Sequence, residues 1–476
     1  MNAKCSLLKL DVLYLRNVCE YLTFNEFQRL DEAVENADPL WDLFLGSLVG
    51  CRCVESAFLD LPDLDWLMSK KNLRLGRAIV KTARRSGSYP FTPAPAFFGS
   101  IKELRLLDEA YSFLMDFSSD CNMTLTALEI DGAPLTAIGI EVCLQNLLLN
   151  HCKSLKELSL HKMGGSISDD LFIEFSQVLQ EESLETLSLS FCEKSTDFRH
   201  GLQSVTFMCL ASKLTALRFL ELTNFYLVTD EALFIISLHC STLEVVGLSF
   251  CREVTGGGIR VLANSSKNLR HLCVGQCNRL DDSVFFGDGI HNPDGSIIPG
   301  SSSTSGWDAT STATASSADR SGRDHPRTLA ALRAAEGNPV WGNLSELVLQ
   351  DCSLVTNDAL LLLPSLTPNL TKFCLANCTF KDWALEAFFI SLDQEQAERW
   401  SGTSGGKSEV GHGSLRHVEL YGCEIKEQTL EALYRHHSKY LERVGFTSKI
   451  DNETIKKLES AGVKMDWIPW WTDESW

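Results

Sequence analysis

Cysteine is the residue type here most able to do chemistry, and it occurs seventeen times in 476 residues. Two pairs, Cys273/Cys277 and Cys374/Cys378, repeat a C-x-x-x-C spacing, and thiolates are common zinc ligands. Four residues of near-extended chain at ~3.3 Å each put such sulfurs roughly 13 Å apart. Strand alternation also turns the first thiol outward and the second inward, so the spacing favours packing over a metal. Cys51 and Cys53 lack a second ligand pair. The opening MNAKCSLLKLDVLYL reaches Asp11 before any leader-like apolar core is complete, and the cysteine count is odd. Both features predict reduced thiols in an intracellular protein, cytoplasmic or nuclear. The chain contains no G-x-x-x-x-G-K-[ST], G-x-S-x-G, H-E-x-x-H or paired C-x-x-C motif. Gly256-Gly257-Gly258 falls in a repeat turn, and His436-His437 on a helix where surface exposure is the ordinary expectation. The sequence therefore predicts a non-catalytic chain with no cofactor and no metal.

What positions these cysteines is a nine-residue phrase, L-x-x-L-x-L-x-x-C, seen as LETLSLSFC from Leu184, LEVVGLSFC from Leu243 and LRHLCVGQC from Leu269. It returns as LSELVLQDC from Leu344, LTKFCLANC from Leu370 and LRHVELYGC from Leu415. Copies from Leu125, Leu155, Leu217 and Leu441 keep the apolar frame without the cysteine, and IKELRLLDE from Ile101 is a degenerate one. The starts at Leu243 and Leu269, at Leu344 and Leu370, and at Leu415 and Leu441 are each 26 residues apart. Alternation in L-x-L makes a short strand with its leucines inward. A second string follows, as in LVTDEALFII from Leu227, EVTGGGIRVL from Glu253, LVTNDALLLL from Leu354 and EIKEQTLEAL from Glu424. Its Thr or Lys before an i, i+3, i+4 apolar pattern predicts a turn and a capped helix. A strand and a helix that cannot bury their faces alone must stack on their neighbours.

This grammar resembles the cysteine-containing leucine-rich repeats of F-box and related proteins, over about three quarters of the chain. The resemblance implies an α/β fold class: a right-handed horseshoe solenoid with parallel strands on the concave face and helices outside. It also implies that the final cysteine, at Cys192, Cys251, Cys277, Cys352, Cys378 and Cys423, packs inward beneath the turn. The frame then sets which strand residues face out to meet a partner. These candidates are Glu157, Ser159, His161, Ser188, Phe219, Glu221, Thr223, His271, Glu346, Gln350, Lys372, His417, Glu419 and Tyr421. The same alternation places Thr186, Ser190, Val245, Gly247, Ser249, Cys273, Gly275, Val348, Cys374 and Ala376 outward. A face so mixed and extended suits a protein ligand.

Residues 1–50 read as three short helices, the first with Val12, Leu15, Val18 and Leu22 on one face. The second is opened by a Thr23 to Glu26 capping box, and the third by Asp38-Pro39. The segment resembles an F-box, the helical module that docks on the adaptor of cullin-based ubiquitin ligases. Leu10, Val12, Leu13, Val18, Tyr21, Leu22, Phe27 and Trp41 are the residues that resemblance assigns to adaptor binding. The alternative is a helical cap that seals the first repeat. Residues 51–100 are expected to be a connector with the first solenoid elements, and 101–476 the solenoid. The run 287–328, rich in Ser, Thr and Gly, is expected to be a disordered insertion, with the Leu344 strand docking near the Leu269 strand across it. A shorter insertion spans 401–414. Trp467, Trp470, Trp471 and Trp476 either cap the array or bind a partner.

The formal charge of −19 would repel a nucleic-acid backbone. The one dense basic run, Lys70, Lys71, Arg74, Arg77, Lys81, Arg84 and Arg85, reads as a solvated face. No apolar run is long enough to span a bilayer. The partners expected are a protein substrate and, through the F-box-like segment, the adaptor and cullin of an SCF complex. The function implied is substrate recognition for ubiquitin-dependent degradation; a protein-binding scaffold or inhibitor is the alternative.

Overall fold

The computed structural model describes residues 58–59, 77–81, 101–107, 124–131, 140–163, 167–191, 202–285, 341–401, 414–447 and 453–467. All eight F-box-like residues lie outside them, as do the insertion 287–328, most of 401–414, Cys51, Cys53, Cys192 and Trp470, Trp471 and Trp476. Of the basic run only the Arg77 and Lys81 backbones are included.

The chain divides into two compact units, Met1–Leu227 and Val228–Trp476, each an α/β repeat solenoid. In the first, strands β1 (Phe58–Leu59), β2 (Arg77–Lys81), β3 (Glu103–Leu107), β4 (Ala127–Asp131), β5 (Glu157–His161), β6 (Thr186–Ser190) and β7 (Phe219–Thr223) pair in chain order. Every pair is parallel. The second unit repeats the scheme with β8 (Val245–Ser249), β9 (His271–Gly275), β10 (Glu346–Gln350), β11 (Lys372–Ala376), β12 (His417–Tyr421), β13 (Arg443–Phe446) and β14 (Lys464–Trp467). Strands β3 to β13 each begin two residues after the first apolar residue of the nine-residue phrase. His271 pairs directly with Glu346, so the sheet continues across the long insertion as the spacing predicts.

Helices cover one face of each sheet. They are α1 (Ile140–His151), α2 (Asp169–Val178) and α3 (Ser204–Leu210) in the first unit. The second unit has α4 (Asp230–His239), α5 (Gly256–Ser265), α6 (Asn357–Leu366), α7 (Asp382–Ser401), α8 (Glu427–Ala432) and α9 (Glu453–Ser460). The second and fourth strand residues are buried against them, for instance Leu158 and Leu160, Leu187 and Leu189, Leu347 and Leu349. Among the described residues no helix is long and apolar enough to cross a membrane.

The recurring Thr before each helix does more than start it. Thr255 and Thr356 cap α5 and α6, accepting from the N–H two residues on. Each Thr also donates its own hydroxyl to a carboxylate of the preceding repeat. Thr255 N–H and Oγ reach Asp230 at 2.8 and 2.6 Å, and Thr356 N–H and Oγ reach Asp282 at 2.7 and 2.6 Å. Asp382 accepts likewise from Lys426 N–H and Thr429 Oγ, and Asp169 from Gln203 N–H and Thr206 Oγ. Gly256-Gly257-Gly258 forms the first turn of α5 rather than a loop. A Cβ on Gly256 would lie 2.5 Å from Val284 N, so this close approach of two chain segments needs glycine.

His437 corrects the expectation of a surface histidine pair: it is buried in a π-helical turn, Leu433–His437, after α8. Its Nε2–H donates to Phe389 O of α7 at 2.8 Å, while His436 pairs with Asp393 one turn along that helix at 3.0 Å. Burial holds the His437 imidazole below its ordinary range.

Candidate binding face

On each sheet the side opposite the helices carries the first, third and fifth residues of every strand, and register aligns them in rows whose neighbours are about 4.8 Å apart. The row of first residues in the second unit runs Val245, His271, Glu346, Lys372, His417, Arg443 and Lys464. In the first unit the corresponding row includes Glu157, Thr186 and Phe219, and the next row Ser159, Ser188 and Glu221. Glu157 is exposed, and Ser159, His161, Phe219, Glu221, Thr223, His271, Glu346, Gln350, Lys372 and His417 are partly exposed.

Four outward candidates are not open to solvent. Ser188 is buried because its hydroxyl donates to Glu221 Oε2 at 2.6 Å on the next strand. Cys374, Glu419 and Tyr421 are buried together on β11 and β12. Cys374 Sγ donates to Glu419 Oε2 at 3.5 Å, and the Tyr421 ring lies over Gly445 of β13, where a Cβ would sit 2.6 Å from Tyr421 Oη. Burial first, and the Glu419 charge second, push the Tyr421 phenol well up. Gly275 is covered as well, between Ser249 and Gln350. Strand alternation fixes which way a side chain points, but neighbours on adjacent strands decide whether water reaches it.

Carboxylates on this face are shared. Glu346 lies 3.1 Å from His271 and 3.9 Å from Lys372. Glu442, just before β13, lies 3.0 Å from Arg416 and 3.3 Å from His417. Asp466 pairs with Arg443 and, at 3.4 Å, with Lys464. Partial burial opposes ionisation of Asp466, yet hydrogen bonds from Arg443 and Lys464 prevail and hold its carboxyl below the ordinary range.

The repeat cysteines are packing elements in this structure. Cys251, Cys277, Cys352, Cys378 and Cys423 are buried thiols outside any disulfide. The Sγ of Cys277 reaches Leu248 O at 3.7 Å, Cys352 reaches Val274 O at 3.6 Å, and Cys378 reaches Leu349 O at 3.4 Å, each on the preceding strand. Burial pushes the Cys277 and Cys378 thiols up to about 11 and that of Cys423 to about 12, away from the thiolate that metal binding or nucleophilic attack requires. Among the described residues no group of three or more His, Cys, Asp or Glu is placed to hold a metal ion. In seven copies the residue before the phrase's last position is left-handed: Lys162, Asn224, Phe250, Gln276, Asp351, Asn377 and Gly422 all have φ between 51° and 65°.

No protein-family model matches the chain. Among solved structures it is similar to a chain of the crystal structure of a Rad7 and Elc1 complex in yeast. The two are 14% identical with a TM-score of 0.34, over 95% of this chain and 92% of that one. A superposition this loose assigns no role.

Proposed function

We propose that this chain is a leucine-rich-repeat substrate receptor of an SCF-type cullin ubiquitin ligase, working in the cytoplasm or nucleus and carrying no active site of its own. Its strand face holds a target protein, while the F-box-like helices of residues 1–50 dock on the adaptor. The observation that carries the binding half is the strand ladder, which lays polar side chains in long aligned rows suited to a macromolecular ligand. The ubiquitin half is supported by the order of modules in the sequence, F-box-like residues first and cysteine-type repeats after. Co-purification with adaptor and cullin tests it: the wild type should associate, and Leu13→Asp and Leu22→Asp should not. A wild-type chain that associates with neither ends the ubiquitin reading.

A scaffold or inhibitor without a ubiquitin role is supported by the strand face alone, which needs nothing from residues 1–50 to bind. In that case deleting those residues lowers stability but leaves partner binding with whatever solenoid survives.

A further inference from the structure

We propose that the edge of the strand face in the second unit, where β9 to β14 begin, is a docking strip for an extended acidic polypeptide segment. This rests on the reading of that face as protein-binding and names the chemistry of what it binds. Consider the residue before each strand together with the first residue of the strand. From β8 to β14 these positions hold Arg270, Lys372, Arg416, Arg443 and Lys464, five fixed cations, with His271 and His417 beside them. The carboxylates at these positions are three, Glu244, Glu346 and Glu442, and a fourth, Asp466 of β14, meets Arg443 and Lys464. In a chain of net charge −19 this strip is locally positive. The same positions of β3 to β7 in the first unit are balanced, with Lys102, Lys156 and Arg218 against Glu103, Glu157 and Glu185.

The cations are not used up by the carboxylates they meet. Arg270 is exposed and has no carboxylate partner among the described residues. The Lys464 side chain is 70% exposed and that of Arg416 45%. A guanidinium has five N–H donors, so a single shared carboxylate leaves several for a ligand. Five strand spacings separate β9 from β14, about 24 Å, which an extended segment of about seven residues spans. Beside the strip, the third positions of β8 to β10 are Gly247, Cys273 and Val348, low enough for a backbone to lie across. Carboxylates on such a segment would meet a fixed row of donors, and the on-rate would gain from steering.

The test uses the full chain and a fluorescently labelled peptide of about a dozen residues, rich in Glu and Asp, read by anisotropy. Wild type should bind it saturably and more weakly as salt is added. Arg270→Glu/Lys464→Glu should weaken binding about tenfold or more and gain affinity for a lysine-rich peptide of equal length. Lys102→Glu/Lys156→Glu in the first unit should leave binding unchanged. The proposal is overturned by absence of saturable binding, by equal losses in the two double variants, or by tighter binding of a single-stranded oligonucleotide of matched length. Adaptor association is read separately through residues 1–50, so loss of one result does not remove the other.

Discussion

The two units fill the same slot under the strand-to-helix turn in different ways. In the second unit it holds five cysteines in succession, each small and each with an S–H aimed at a backbone oxygen. Among the described residues of the first unit, Met163 and Phe225 occupy the equivalent places, and Phe225 packs edge-on against Phe191 with ring centroids 4.7 Å apart. The donor there comes from one residue earlier, where the left-handed Asn224 sends Nδ2 to Phe191 O at 3.1 Å. At Cys277, Cys352, Cys378 and Cys423, as at Asn224-Phe225, the slot combines volume with a hydrogen-bond donor to the preceding repeat. Cysteine supplies both in one residue, whereas the Asn224-Phe225 pair divides them.

That division can be broken at its largest piece first. Phe225→Ala should cost about 3–5 kcal/mol in urea unfolding, since the Phe191 ring cannot fill the space. A loss under about 1 kcal/mol would show that the slot collapses freely. Asp382→Ala removes the carboxylate that accepts from Lys426 N–H and the Thr429 hydroxyl, leaving the hydroxyl only the longer bond to Asp382 O, and should cost about 2–3 kcal/mol. Cys352→Ala should cost about 1–2 kcal/mol, with Cys352→Ser recovering part of it by keeping a donor. If the alanine variant proves neutral, the cysteine slot tolerates loss of its sulfur and the contrast with Phe225 reduces to volume.

A fourth change sharpens the contrast through pH. Because His437 is held below its ordinary value of 6.5, its neutral ring contributes stability above that value. The contribution fades as the pH falls through 6.5 towards the lowered value in the fold. His437→Gln keeps a donor for Phe389 O and should flatten this part of the acid limb in thermal melts. A variant with the same slope as wild type would place the acid sensitivity elsewhere.

The strands were legible because each is announced by three apolar residues at fixed spacing, so β3 to β13 start where the phrase puts them. Strands β1, β2 and β14 carry no such phrase, and their neighbours' open edges define them. The helix starts at Thr229, Thr255 and Thr356 were readable from the V-T dipeptide before each apolar i, i+3, i+4 pattern, while the Asp-to-Thr bonds join residues 25 to 74 apart that no local pattern connects. On the candidate face, direction was readable and exposure was not. Ser188, Cys374, Glu419 and Tyr421 are covered by groups from the adjoining strand, and the packing of Tyr421 over Gly445 depends on a register that appears only once β12 and β13 pair.

On the strand face, Ser188 and Cys374 donate to carboxylates of the following repeat, but the bonds made by residues of the turns between strand and helix share the opposite sense. The Thr255 and Thr356 hydroxyls, the sulfurs of Cys277, Cys352 and Cys378, and the Asn224 amide all give their hydrogen to the repeat that came before them in the chain. Within a unit, a segment leaving the ribosome therefore meets its acceptors already in place. Trimming the array from its far end strips away donors and leaves carboxylates and carbonyls that water can serve, whereas trimming from the near end strands buried hydroxyls and thiols with nothing to receive them.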